Sequence, residues 1–211
     1  TAATVDLLHV MLLDSAHIQE KESEWEVRRA HGRHGRGAVR PPLYTVAQAQ
    51  ACLKLLRRQQ YDESFRPHDS VSVSLRDAGH ILGSASVELR ARERGVERVL
   101  VFSGDLGPKG TPILRDPAPV PRADLVLLES TYGGRAHRDR NATVAEIGAV
   151  LEQAWADGGN VLIPAFAAGR SQELLYWFAR HWNDWDMSRW RIFLDSPMAS
   201  KVVQVYDRHH A

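Results

Sequence analysis

From residue 70 onward the hydrophobic pattern of this chain runs at two periods in succession, and that order constrains the fold more than any other feature. "SVSVSLRDAGH" (70–80) and "SASVELRA" (84–91) alternate apolar and polar residues, as antiparallel strands with one wet face do. "RVLVFSGD" (98–105) and "ADLVLLEST" (123–131) are continuous apolar runs, suited to central strands. After "GGRAHRDR" (133–140) the pattern becomes helix "TVAEIGAVLEQAWADGG", strand "NVLIPAF", helix "GRSQELLYWFARHW", strand "RIFLDSP" and a last helix. Such alternation implies parallel strands joined by crossover helices. The chain is therefore expected to be α/β, a mixed sheet giving way to an α/β wind at a boundary near 133 to 140.

Upstream, "TVDLLHVMLLDSAHIQEKESEWEVRRA" and "TVAQAQACLKLLRRQQ" read as helices, the second with Val46, Ala49, Leu53 and Leu56 along one face and Thr45 as its cap. Thr143 and Glu146 form a capping-box pattern for a later helix, and Gly158-Gly159 suits its end. Between the first two helices, "HGRHGRGAVRPP" (31–42) has the composition of an exposed loop. Its arginines and histidines could touch phosphate, although Gly/Arg loops are usually just solvated. The tryptophans Trp177, Trp182, Trp185 and Trp190 could stack on bases, but aromatics at such spacing more often line a helix interface.

The charge balance, 27 Lys and Arg against 26 Asp and Glu, gives no global signal for nucleic acid, so any basic surface must be local. The single cysteine, Cys52, excludes an intrachain disulfide and a cysteine-cluster zinc site, and it fits a cytoplasmic setting. No apolar run reaches the roughly 20 residues of a membrane helix, so no membrane partner is expected. The chain starts at Thr1 and stops soon after an amphipathic stretch begins, which reads as a piece of a longer protein.

Three apolar segments end in a chemically useful residue followed by small ones: "AGHILGS" (His80), "FSGDLG" (Asp105) and "LLESTYG" (Glu129). Strands that terminate this way can deliver imidazole and carboxylate groups to one rim of a sheet. Neutral imidazole suits zinc, and a carboxylate can bridge two divalent ions. Each signal alone also has a plain structural reading: a hydrogen-bonded histidine in a turn, an Asp accepting backbone N–H groups, a Glu capping the next turn.

Taken in order, "MLLDSAHIQEKE", "DAGHILGSAS", "LVFSGDLG", "ADLVLLESTYGGRAH", "GGNVLIPAFAAGRSQELLYW" and "IFLDSPMASKV" resemble the metallo-β-lactamase-fold nucleases that carry a β-CASP domain, a group of RNA-processing enzymes. The resemblance implies part of an αββα metallo-β-lactamase sandwich over 1–135, followed by the start of a Rossmann-like β-CASP domain over 136–211. It implies that His80 ligates one zinc and that Asp105 bridges two zincs and holds the attacking hydroxide. Glu129 would be catalytic without binding metal, orienting a histidine that assists the leaving group. Arg170 and Ser171, at the start of a helix, would offer substrate contacts toward a phosphate. Single-stranded RNA is the implied partner, and a homodimer stays open.

The family's main metal box, His-x-His-x-Asp-His, is absent, and "HGRH" at 31–34 has the wrong spacing. His80 and Asp105 are too few for a dinuclear site, so the expectation is zinc-dependent RNA hydrolysis by the parent protein and little activity from these 211 residues alone. Two other readings remain: a non-catalytic RNA-processing scaffold, and a different metallo-β-lactamase-fold hydrolase acting on a small substrate. A nucleotide-binding Rossmann domain is opposed by the lack of a G-x-G-x-x-G after any strand.

Overall fold

The computed structural model describes residues 1–32 and 40–209. The reading of 31–42 as an RNA-contacting loop falls largely outside the described residues. Helix α1 (Ala2–Gly32) and α2 (Val46–Leu53) precede a five-stranded sheet, β1 (Ser64–His68), β2 (Val71–Asp77), β3 (Ala85–Glu93), β4 (Val96–Phe102) and β5 (Leu125–Leu127). Helices α3 (Arg140–Ala156), α4 (Arg170–Arg180) and α5 (Pro197–Arg208) follow. None of the described helices is long and apolar enough to cross a membrane.

Thr45 caps α2 as expected, its hydroxyl accepting from the Gln48 N–H while the Gln48 side chain accepts from the Thr45 N–H. The helix ends at Leu53 rather than near residue 60, because Leu55 beyond it is 78% exposed and the following "RRQQ" offers no apolar face to bury. The start of α3 also differs from the capping-box reading. Asp139 is the N-cap, accepting from Ala142 N–H at 2.8 Å, and Thr143 lies inside the helix with its hydroxyl donating to the Asp139 carbonyl. A carboxylate four residues earlier outcompetes the hydroxyl for the free N–H groups of the first turn.

The strands lie in the order β1-β2-β3-β4-β5, antiparallel except for the parallel pair β4–β5. β1 carries Pro67, which an edge strand with an irregular register tolerates. Register places Ser74 opposite Glu88 and Arg76 opposite Ser86, so a polar stripe runs along one face of β2 and β3, and Val101 continues that face in β4. At its centre Glu88 is 2% exposed and is held by Arg76 and Arg90, at 3.0 and 2.6 Å. Burial pushes the Glu88 carboxyl up, and hydrogen bonds from Arg90 and Arg76 more than reverse this, leaving it below the usual carboxylate range.

Three apolar runs depart from expectation. β5 is a three-residue edge strand rather than a central one, with Leu125, Val126 and Leu127 between 47% and 54% exposed. The runs at 160–166 and 191–196 form no strand, and Leu162 (93%), Phe166 (84%) and Phe193 (82%) face solvent. A strand exists only through hydrogen bonds to a neighbour, and among the described residues these two runs make no ladder.

Two cores hold the helices. Leu7 of α1 and Val202 and Val205 of α5 pack with Ile81 and Leu82, which follow β2. Leu151 of α3, Phe178 of α4 and Met187 pack with Trp185 and Trp190, which agrees with the helix-interface reading of those two tryptophans. Trp182 is 47% exposed.

Candidate functional site

The loop after β2 begins with an Asx turn, the Asp77 carboxylate accepting from Gly79 N–H at 2.9 Å. Gly79 has φ +62°, so the chain reverses there and exposes His80. The Ser84 hydroxyl oxygen accepts from the N–H groups of His80 and Ile81, at 3.1 and 3.3 Å. Ile81 and Leu82 then plunge into the α1/α5 core, where Leu82 N–H donates to the Tyr206 hydroxyl. Thr1 and Thr4 of the α1 start donate to the Gly83 carbonyl at 3.0 and 2.7 Å. The imidazole thus stands on a loop fixed at both ends.

The loop after β4 runs beside it. Gly107 N–H donates to the Ala78 carbonyl at 2.9 Å, and a Cβ at Gly107 would run into the Gly79 carbonyl, so the two backbones touch. This brings His80 Nε2 to 3.8 Å from Asp105 Oδ2. The loop after β5 joins them: one Glu129 oxygen accepts from Leu106 N–H and the other from Thr131 N–H, each at 3.1 Å. Glu129 N–H in turn donates to the Ser103 hydroxyl at 3.0 Å. The Leu106 N–H, then the Thr131 bonds, with the nearby His80 adding a smaller part, hold the Glu129 carboxyl below its ordinary range. His80, Asp105 and Glu129 therefore occupy one rim, as their positions at strand ends led us to expect.

Arg170 and Ser171 start α4, and Gly169, with φ +87°, lies against Ile81, one residue from His80. The Arg170 guanidinium pairs with Glu173 at 2.7 Å and remains largely exposed. Ser171 is 6% exposed and its hydroxyl donates to the Phe166 carbonyl, so its side chain serves the turn entering the helix.

Two ligands of one tetrahedral zinc at bonds of about 2.1 Å stand about 3.4 Å apart. The 3.8 Å between His80 and Asp105 fits two members of such a set. Among the described residues no group of three or more His, Cys, Asp or Glu could hold a metal ion, so these side chains do not by themselves complete a centre.

Several supporting groups went unnoticed in the sequence. Asp77 and Ser84 shape the His80 loop, and "D-x-G" was a legible Asx-turn signal. Ser103 and Arg140 gave none, since their partners are remote. Arg140 donates to the Lys109 and Gly110 carbonyls and to the Thr111 hydroxyl, strapping the Asp105 loop to the start of α3.

Residues 171–211 match the Beta-Casp domain family. Over 208 residues the chain is 37% identical to a ribonuclease of Thermus thermophilus, covering 99% of this chain and 42% of that protein. It is 31% identical over 180 residues to a transcription termination factor of Methanothermobacter thermautotrophicus, covering 83% and 25%. A cleavage and polyadenylation specificity factor subunit of Arabidopsis thaliana is 36% identical over 135 residues, covering 63% and 19%. The chain thus spans less than half the length of each of these relatives. The match to the Thermus protein runs through nearly the whole chain, so the strand-tip loops fall inside it together with the last helices, and residues 171–211 carry the match to the Beta-Casp domain family.

Proposed function

We propose that this chain is part of a zinc-dependent ribonuclease that hydrolyses phosphodiester bonds in single-stranded RNA. The observation that carries the reading is the meeting of His80, Asp105 and Glu129 on one rim. It is supported by relatives named as ribonuclease and endoribonuclease. His80 and Asp105 would supply two of the zinc ligands, the rest lying outside the described residues. When bound, a zinc pair supplies an activated water and stabilises charge on the phosphate. Within the chain, the Ile81–Leu82 anchor and the Ser84 hydroxyl fix the backbone that carries the imidazole. Glu129 ties the Asp105 loop through Leu106 N–H and keeps a negative charge beside His80, which favours a histidine held in one orientation. The 211 residues alone are proposed to cleave little RNA, since two donors do not retain a metal pair. The division at 135–136 and a cytoplasmic setting belong to the same reading.

The test compares this chain with the product of the complete open reading frame. Metal content is read by mass spectrometry, and cleavage is followed on 5′-labelled single-stranded RNA. The complete protein is expected to hold two zincs and to cleave in an EDTA-sensitive manner, with Asp105→Ala and His80→Ala lowering the rate on the order of 100-fold or more. Unchanged cleavage by Asp105→Ala would sink the reading. Two zincs and rapid cleavage by the 211-residue chain would refute its incompleteness.

A further inference from the structure

The segment joining Glu129 to α3 makes two overlapping turns, with Gly133 N–H donating to the Ser130 carbonyl at 3.0 Å and Arg135 N–H to the Tyr132 carbonyl at 3.2 Å. Tyr132 stands in this bend, 52% exposed, one residue beyond the Thr131 N–H that holds the Glu129 carboxylate. Here its neighbours are cationic or aromatic. The His137 ring lies 4.3 Å from it, tilted by 45°, and the Arg135 guanidinium sits 5.2 Å from its centroid. Arg135, His137 and Arg138 are all exposed, and Arg138 reaches Glu146 at 2.8 Å. The loop therefore offers a π surface with positive charge around it, a combination that matches a nucleobase and its phosphate.

We infer that Tyr132, braced by His137 and Arg135, is a stacking platform for one base of single-stranded RNA at the rim of the His80–Asp105–Glu129 site. The platform would fix a nucleotide next to the reacting phosphate while Arg135 neutralises the backbone. Since every base has a π face, it would position the strand without reading sequence. This inference rests on the ribonuclease reading for its ligand, but it concerns binding alone.

The experiment measures fluorescence anisotropy of the 211-residue chain with a labelled oligouridylate of about 10 nucleotides and with an abasic oligomer of the same length. Tyr132→Ala is expected to weaken oligouridylate binding about 5- to 150-fold and to leave the abasic oligomer unaffected, whereas Tyr132→Trp retains binding. Arg135→Met is expected to weaken both oligomers and to lower the slope of log K against log salt by about one. An unchanged melting temperature for Tyr132→Ala shows that the variant is folded. The platform is overturned if Tyr132→Ala binds as the parent does, if it loses affinity equally for both oligomers, or if the parent chain binds neither. These results leave the cleavage test untouched. Conversely, base-dependent binding by a protein whose complete form fails to cleave keeps the platform and discards the nuclease.

Discussion

The β2–β4 meander and the apolar runs at 160–166 and 191–196 are built from the same residue types, yet the first buries its core positions and the second leaves Leu162 and Phe193 to solvent. The difference lies in where the partners are. β2, β3 and β4 are joined by short connections, so each strand finds its neighbour within a few residues and the ladder forms locally. The later runs alternate with helices, and a parallel partner must come from a distant segment. β5 stands between these cases: it pairs with β4 over three residues, and its side chains remain half exposed. Apolar content marks a segment that could become a strand, and proximity of a partner decides whether it does.

The strongest way to break the meander is at its buried carboxylate. Glu88→Ala removes the group that both Arg76 and Arg90 face, and a loss of about 3 kcal/mol in urea unfolding is expected. A loss below about 0.5 kcal/mol would show that the polar stripe contributes only as any surface pair does. The same group sets a pH dependence. Its carboxyl is held below the ordinary value of 4.5, so its contribution is complete above that pH and disappears as the pH falls through the lower folded value. Acid titration of stability should therefore steepen below pH 4.5, and Glu88→Gln should remove that part of the slope.

Contrasting truncations sharpen the comparison further. Val99, 2% exposed in β4, should cost about 2 kcal/mol as Val99→Ala. Leu162→Ser, at a position 93% exposed, should change stability by no more than about 0.5 kcal/mol. Equal losses at the two positions would show that the run at 160–166 is packed after all. In the product of the complete reading frame, a rise in the cost of Leu162→Ser would show that a further segment covers it. The smallest expected effect is local: Glu129→Ala should speed amide exchange at Leu106 and Thr131 while leaving the β2–β3 amides as they are.

Much of this was legible beforehand because it is local. The two-residue alternation of 70–91 located β2 and β3, overrunning the end of β2 at Asp77 and stopping short of the end of β3 at Glu93, and Thr45 marked the start of α2. His80, Asp105 and Glu129 were legible because each follows an apolar segment and precedes small residues, a pattern that puts polar groups at a rim. Asp139 was hidden by a competing Thr/Glu pattern that satisfied the same rule four residues later. Arg140 and Ser103 were hidden because their partners lie over 20 residues away, and no spacing rule connects them. Tyr132 was hidden because the sequence shows an aromatic residue but not its exposure.

The contact between Gly107 and Gly79 makes the His80 and Asp105 loops a single mechanical unit. With no side chain between them, whatever displaces one loop must carry the other along, so the imidazole and the carboxylate move as a pair. The gap separating the imidazole from the carboxylate is accordingly written into main-chain atoms, and any larger residue at Gly107 would act as a wedge driven between the two loops.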